Sequence, residues 1–507
     1  MTRERSLCLP FALLLAAPLP VLAQDALIVP YAADVGSFDP DNSFEVAGLS
    51  AINNVYEGLV EYAPGGTELA GLLAESWELS EDGTTYTFRL KPGVLFHDGS
   101  PADAAAIKAS FERRMNAEVI LGYFLWNVAS IDAPDPQTLV ITLNGPQPSF
   151  LDALASPWGP KAVSPAALAE HGGEDQGKTW LVENAVGTGP FRLAEFVRGQ
   201  RIVLERFENY HGEPAHFAEV EIPIVPDIGQ QILQLRSQEI DAIPANFPWE
   251  QLAALPPGVT VTAQPSMSLL TGYVNPTGPL ADLALRPALL TAINPENWVD
   301  DAFAGHATLA QSLYPAAMLA PETPIAFPAD ADAAKAVIAE AGPVELTIGY
   351  ATEEAPNVER AADLMVAELA EIGVPATVTV LPTGAIFSLF ENPEAAPDLV
   401  IARQSPDAAH PENQSAVFYA TDAPLNLFKV SVSEADAVAA EAGGMIDPAQ
   451  RDAAYEEAGR LWWESGHFIP FADIQDVVVH AEGLVDLGLR TPWPMGNIDF
   501  GTVRWEQ

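Results

Sequence analysis

The stretch "VELTIGYATEEAPNVERAADLMVAELAEIGVPATVTVLPTGAIFSLFENPEAAPDLVIA", residues 344–402, changes its period repeatedly. "VELTIGY" reads as a strand, and residues 357–373 then put Val358, Ala361, Met365, Leu369 and Ile372 on one helical face closed by Gly373. "ATVTV" (376–380) reads as a second strand, "GAIFSLF" (384–390) as a short helix and "DLVIA" (398–402) as a third strand. Alternation of this kind implies an α/β fold with a mostly parallel sheet. Ligands gather at the carboxyl ends of such strands, which directs attention to the loop "RQSPDAAHPENQ", residues 403–414.

The same reasoning applies near the start, where "ALIVPY" (26–31) runs into "AADVGSFDPDNSFE" (32–45), the segment that carries Phe44. The two polar, breaker-rich loops are predicted to rim one cleft. A third segment, "YTFRLKPGVLFHDGSPADAAAIKASFERR" (86–114), begins as a strand with Tyr86, Phe88 and Leu90 on one face. It continues as a helix predicted to start with Ser100 as cap and Pro101 at its first position, burying Ile107 and Phe111.

Composition narrows the class. With 507 residues, 49% hydrophobic and 18% charged, the chain is globular and long enough for about three domains. Residues 1–23 have the pattern of an export signal: Arg3 and Arg5, the apolar run "LCLPFALLLAAPLPVL", and small residues before Gln24. Cys8 is the sole cysteine and falls inside that segment, so the mature chain has no disulfide or thiolate chemistry. The formal charge is −46, and removal of Arg3, Glu4 and Arg5 (net +1) leaves −47. Such a surface repels phosphate backbones and anionic headgroups, which argues against nucleic acid and membrane surfaces as partners.

Catalytic spacings are missing: there is no Gly-x-Ser-x-Gly elbow, Ser-x-x-Lys, His-Glu-x-x-His or phosphate-loop lysine. "GTGP" (187–190) reads as a turn before the strand "FRLAEF". His211 and His216, with Glu208, Glu213 and Glu219 nearby, read as a turn rather than a metal site, and no cofactor is predicted. Arg403 suits a ligand carboxylate, and Tyr123, Trp126 and Tyr273 are candidates for stacking on a ligand.

Several segments, in order along the chain, resemble the periplasmic substrate-binding proteins of ABC importers that bind dipeptides, oligopeptides and nickel chelates, solute-binding protein family 5. They are "YEGLVEY", "LAESWELSEDGTTYTFRLKPGVLFHDG", "VGTGPFRL", "IVLERFENYHGEP", "QEIDAI", "LADLALRPALLTAIN", "DAAKAVIAEAG" and "RDAAYEEAGRLWWESGHFIPF". The resemblance implies a type II periplasmic binding protein fold, two lobes with an extra small domain. One lobe would comprise 24–56, 164–267 and 472–507, the extra domain 57–163, and the second lobe 268–471. It also implies a non-enzymatic, monomeric periplasmic protein that closes on a small solute, most simply a peptide, and delivers it to permease subunits in the membrane.

In peptide-binding members of that family a loop aspartate four residues before a proline anchors the ligand's ammonium group, and Asp407 in "PDAAHP" matches it. The family's tryptophan three residues earlier is Gln404 here, and its acidic residue before the proline is His410. Nickel-chelate binders of the family place a histidine in the cleft, which makes His410 a second candidate. A metal chelate, an opine or an oligosaccharide is an alternative ligand, and an exported hydrolase a more distant alternative.

Overall fold

A computed structural model describes residues 26–46, 48–326, 331–352, 357–382, 384–493 and 496–506. The predicted export signal, with Cys8, lies outside them. Among the described residues no helix is long and apolar enough to cross a membrane.

The α/β unit of residues 344–402 forms as expected. Strand Leu346–Ala351 pairs in parallel with both Ala376–Leu381 and Leu399–Gln404. The intervening helix Asn357–Glu371 buries Val358, Ala361, Met365 and Leu369 against them. The rest of the sheet is not parallel. Leu399–Gln404 pairs antiparallel with the long strand Val259–Val274, which pairs antiparallel with Phe468–Ala481. No local period announces that pairing, because the partners lie more than 100 residues apart along the chain.

A second sheet has the order Ala26–Ile28, Glu219–Pro223, Arg201–Arg206, Phe191–Val197, its first pair parallel. A third, antiparallel throughout, runs Ala74–Leu79, Thr85–Leu90, Thr138–Leu143, Val128–Asp135. Each sheet has its own apolar core. Leu27, Phe191, Leu204 and Phe500 pack in one, Phe88, Phe111 and Leu139 in another, and Ile348, Met365, Trp298 and Phe471 in the core of the large sheet. Tyr86, Phe88 and Leu90 are buried as the alternation required.

The helix that follows begins later than expected, at Ala104, with Asp103 as its cap: the Asp103 carboxylate accepts from the Ala106 amide at 3.0 Å. Ser100 is unavailable because Asp98 already takes both its hydroxyl (2.6 Å) and its amide (2.8 Å) in a tight turn. Ile107 and Phe111 are buried on it as predicted. "GTGP" is a turn ahead of strand Phe191–Val197, and a Cβ on Gly187 would stand 2.1 Å from the Val55 carbonyl oxygen. Only glycine allows that approach.

Buried polar joints fasten the third sheet's unit to the second. The Arg113 guanidinium forks onto the Asp39 carboxylate at 2.8 and 3.0 Å and also pairs with Asp41. Arg490 bridges Glu61 (2.6 Å) and Asp499 (2.7 Å). His211, predicted to lie in a turn, points Nε2 at the buried Glu57 carboxylate, 2.9 Å away, and the Tyr210 hydroxyl donates to the same group. Among the described residues no group of three or more His, Cys, Asp or Glu is arranged to hold a metal ion.

Candidate ligand cleft

A cavity of about 840 Å³ lies where the three sheets meet, a volume within the range of small-molecule pockets. Pro30, Tyr31 and Phe44 line it from the amino-terminal segment, Tyr123 and Trp158 from the unit of the third sheet, and Arg403, Ser405, Asp407, Val417 and Leu425 from the opposite side. Asn246, Gln231 and Asn497 add amide groups to its lining. The walls are largely apolar: Phe44 and Trp158 form a tilted aromatic pair at 5.2 Å, facing Val417 and Leu425. Among the described lining residues, one carboxylate and one guanidinium supply the formal charge.

Both charges sit where the end of a parallel strand predicts. On Leu399–Gln404 side chains alternate, so Arg403 and then Ser405 face the cavity while Gln404 turns inward. Asp407 follows in the loop. Its Oδ2 accepts from the Tyr123 hydroxyl at 2.7 Å, and its amide donates to Asn413 Oδ1 at 2.8 Å. Burial pushes the Asp407 carboxyl above the usual carboxylate range, against the lowering effect of the Tyr123 hydrogen bond. Arg403 is electrostatically coupled to Asp476, a carboxyl that burial pushes up to about 7 and whose Oδ1 accepts from the Gly496 amide at 3.0 Å.

Four candidates from the sequence therefore meet in one cavity: Phe44, Tyr123, Arg403 and Asp407. Three lie elsewhere. Tyr273 is buried in the core against Phe468, and its hydroxyl accepts from Gln404 Nε2 at 2.5 Å. The same glutamine accepts from Tyr419 and Gln414, each at 2.6 Å, so the residue standing in the family's tryptophan position is a core crosslink. Trp126, just past the 3₁₀ turn Ile120–Leu125, is 69% exposed and does not line the cavity. His410 is buried as a helix cap, its Nδ1 accepting from the Glu412 amide at 3.1 Å. Desolvation lowers its pKa to about 3, so it stays neutral.

Sequence reasoning missed Trp158, Gln231, Asn246, Ser405 and Asn497. The "SPWGP" turn offered a signal for Trp158, a bulky aromatic in a segment otherwise built of breakers. Nothing local pointed to Asn497, which reaches the site through Ser50, 447 positions away, whose hydroxyl donates to it at 3.2 Å.

A two-lobed α/β body with an added antiparallel unit and a mostly apolar cleft at strand ends defines a type II binding protein, a class that captures solutes. The sequence profile of "Bacterial extracellular solute-binding proteins, family 5 Middle" matches residues 68–425, and the chain belongs to that family, whose members are solute-binding proteins and not enzymes. It is 30% identical over 467 residues to the probable D,D-dipeptide-binding periplasmic protein DdpA of Escherichia coli K12, covering 89% of each chain. It is 27% identical over 500 residues to the glutathione-binding protein GsiB of Salmonella typhimurium, covering 96% of this chain and 95% of that one. The fold matches the periplasmic binding protein DppA of Helicobacter pylori, solved with the peptide STSA. That match has a TM-score of 0.77 and 24% identity, and covers 95% of this chain and 98% of the other.

Proposed function

We propose that this protein is the exported, periplasmic solute-binding component of an ABC importer, and that its ligand is a peptide or peptide-like zwitterion. The single observation that carries the ligand reading is the pairing of Asp407 and Arg403 on one apolar cavity, one charge of each sign. A half-buried carboxylate is suited to a ligand ammonium group that loses its hydration on entry, and a guanidinium fork to a carboxylate. Apolar walls of Phe44, Trp158, Val417 and Leu425 suit side chains of varied shape between those ends. The dipeptide- and glutathione-binding names of the relatives support the same class.

In this reading the three cores act as two moving bodies. The segments 24–56, 164–267 and 472–507 carry the extra unit 57–163 rigidly with them, through the buried joints at Arg113, Glu57 and Arg490. Residues 268–471 close against them. Support for a hinge comes from the irregular pairing of Val259–Val274 with Phe468–Ala481 between Pro265 and Ser268. There the Ser266 hydroxyl donates to the Ile474 carbonyl at 2.6 Å, and Ser268 contacts Ser405 at the cavity. The protein works as a monomer that presents its closed form to permease subunits after an amino-terminal leader is removed.

Thermal unfolding of the purified chain against a panel of di- and tripeptides tests the class. A binder present at a hundred times its Kd stabilises the folded form by about 2.7 kcal/mol, a readable rise in Tm. No rise with any peptide at millimolar concentration would refute the peptide reading.

A further inference from the structure

The loop that carries Asp407 is held from both sides. Within its own lobe, Asn413 Oδ1 accepts from the amides of Asp407 (2.8 Å) and Ala408 (3.3 Å). From the extra unit, the Ser156 hydroxyl donates to the Asp407 carbonyl at 2.5 Å, the Tyr62 hydroxyl accepts from the Ala409 amide at 3.0 Å, and the Ser149 hydroxyl donates to Glu412 Oε2. Tyr62 is in turn fixed by donating to Asp152 Oδ1 at 3.0 Å, and Ser149 by accepting from Gln147 Nε2 at 3.3 Å. With the Tyr123 hydroxyl on Asp407 Oδ2, the extra unit makes four direct contacts to the loop, and two of them are to main-chain atoms. They set the position of the loop whatever solute occupies the cavity.

We propose that Ser149, Ser156 and Tyr62 of the extra unit are positioning residues, a clasp that grips loop 405–412 on closure and sets the Asp407 carboxylate on the cavity. Because Asp407 is the proposed solute anchor, the clasp builds on that reading, yet its contacts are all between protein groups. It gives the extra unit a role in binding beyond architecture, since one lobe alone cannot fix the anchor.

The seam also carries half-buried titratable groups. Asp152 faces Tyr62 and Tyr86 from its own unit and Arg451 from the opposite lobe, and Arg451 in turn acts on Glu412, His410 and Tyr455. Desolvation pushes Asp152 up to about 7, against the lowering effects of Tyr62 and Arg451, and raises Glu412 as well. Opening the seam would return water to Asp152 and also withdraw Arg451; desolvation is the larger of the two opposed effects, so on this proposal the closed form binds the Asp152 proton more tightly than the open one. The sign follows: closure is favoured most at and below the ordinary carboxylate range, and weakens as pH rises through about 7.

Fluorescence energy transfer between dyes on cysteines introduced at exposed Glu118 and Glu434, one on each side of the seam, reads closure in solute-free protein. The wild-type closing constant is expected to fall as pH rises from 6 to 8, by up to about tenfold per unit. Asp152→Asn should flatten that slope. Ser149→Ala combined with Ser156→Ala should lower the closed fraction at every pH by about tenfold, and threonine at both positions should restore it. If the double alanine variant closes as wild type, or Asp152→Asn keeps the full slope, the clasp is refuted. A refutation here would leave peptide binding measured by thermal shift untouched.

Discussion

Asp407 combines features seldom found together in a loop residue: a half-buried carboxyl whose pKa desolvation raises, a hydroxyl partner from another unit, and a cavity beside it. Breaking a buried charge pair costs about 3–5 kcal/mol, so Asp407→Asn should weaken solute binding by roughly a hundred- to several-thousand-fold. The Tm of the solute-free chain should barely move, because Tyr123 can still donate to the amide oxygen. The pH response follows from the same group. An ammonium-bearing solute needs the ionised carboxylate, so affinity should fall as pH drops through the raised Asp407 pKa, and calorimetry at pH 7 and pH 4.5 reads it. At this scale the sequence was partly legible. Asp407 and Arg403 follow a recognisable strand in a polar loop, whereas Tyr273, a plausible stacking residue by type, is claimed by the Gln404 crosslink that only the fold assembles.

Elements show where short-range grammar suffices. The helix Asn357–Glu371 and its flanking strands announce themselves because each buries a face with its own period. The antiparallel half of the same sheet does not, since its register depends on strands brought together from residues 259 and 481. The start of helix Ala104–Asn116 was misplaced for a local reason: two acidic residues compete for capping roles, and Asp98 takes Ser100 first. The joints between elements make their own predictions. Arg113→Ala removes the guanidinium that forks onto the buried Asp39, leaving Asp41 with Arg114 alone, and should cost about 3–5 kcal/mol in urea unfolding. Gln404→Ala strips partners from Tyr273, Tyr419 and Gln414, and should cost about 1–3 kcal/mol in the same measurement.

At the scale of the whole molecule, the fold was legible through order: segments distributed from Tyr56 to Phe471 match one family in sequence, and the profile spanning 68–425 agrees. The cavity was not, because its wall is assembled from Pro30, Trp158, Asn246, Leu425 and Asn497, residues that no window of sequence contains together. Its acidic surface, formal charge −46, says little about a site whose own lining is balanced. The central claim is that this cavity captures one small zwitterion through Asp407. Native mass spectrometry of gently purified wild-type protein beside Asp407→Asn tests it most directly. The account predicts a discrete added mass of a few hundred daltons on the wild type, lost from the variant under identical purification, as roughly expected for a cavity of this size. An added mass retained equally by both proteins, or none on wild type after incubation with a peptide panel, would contradict it.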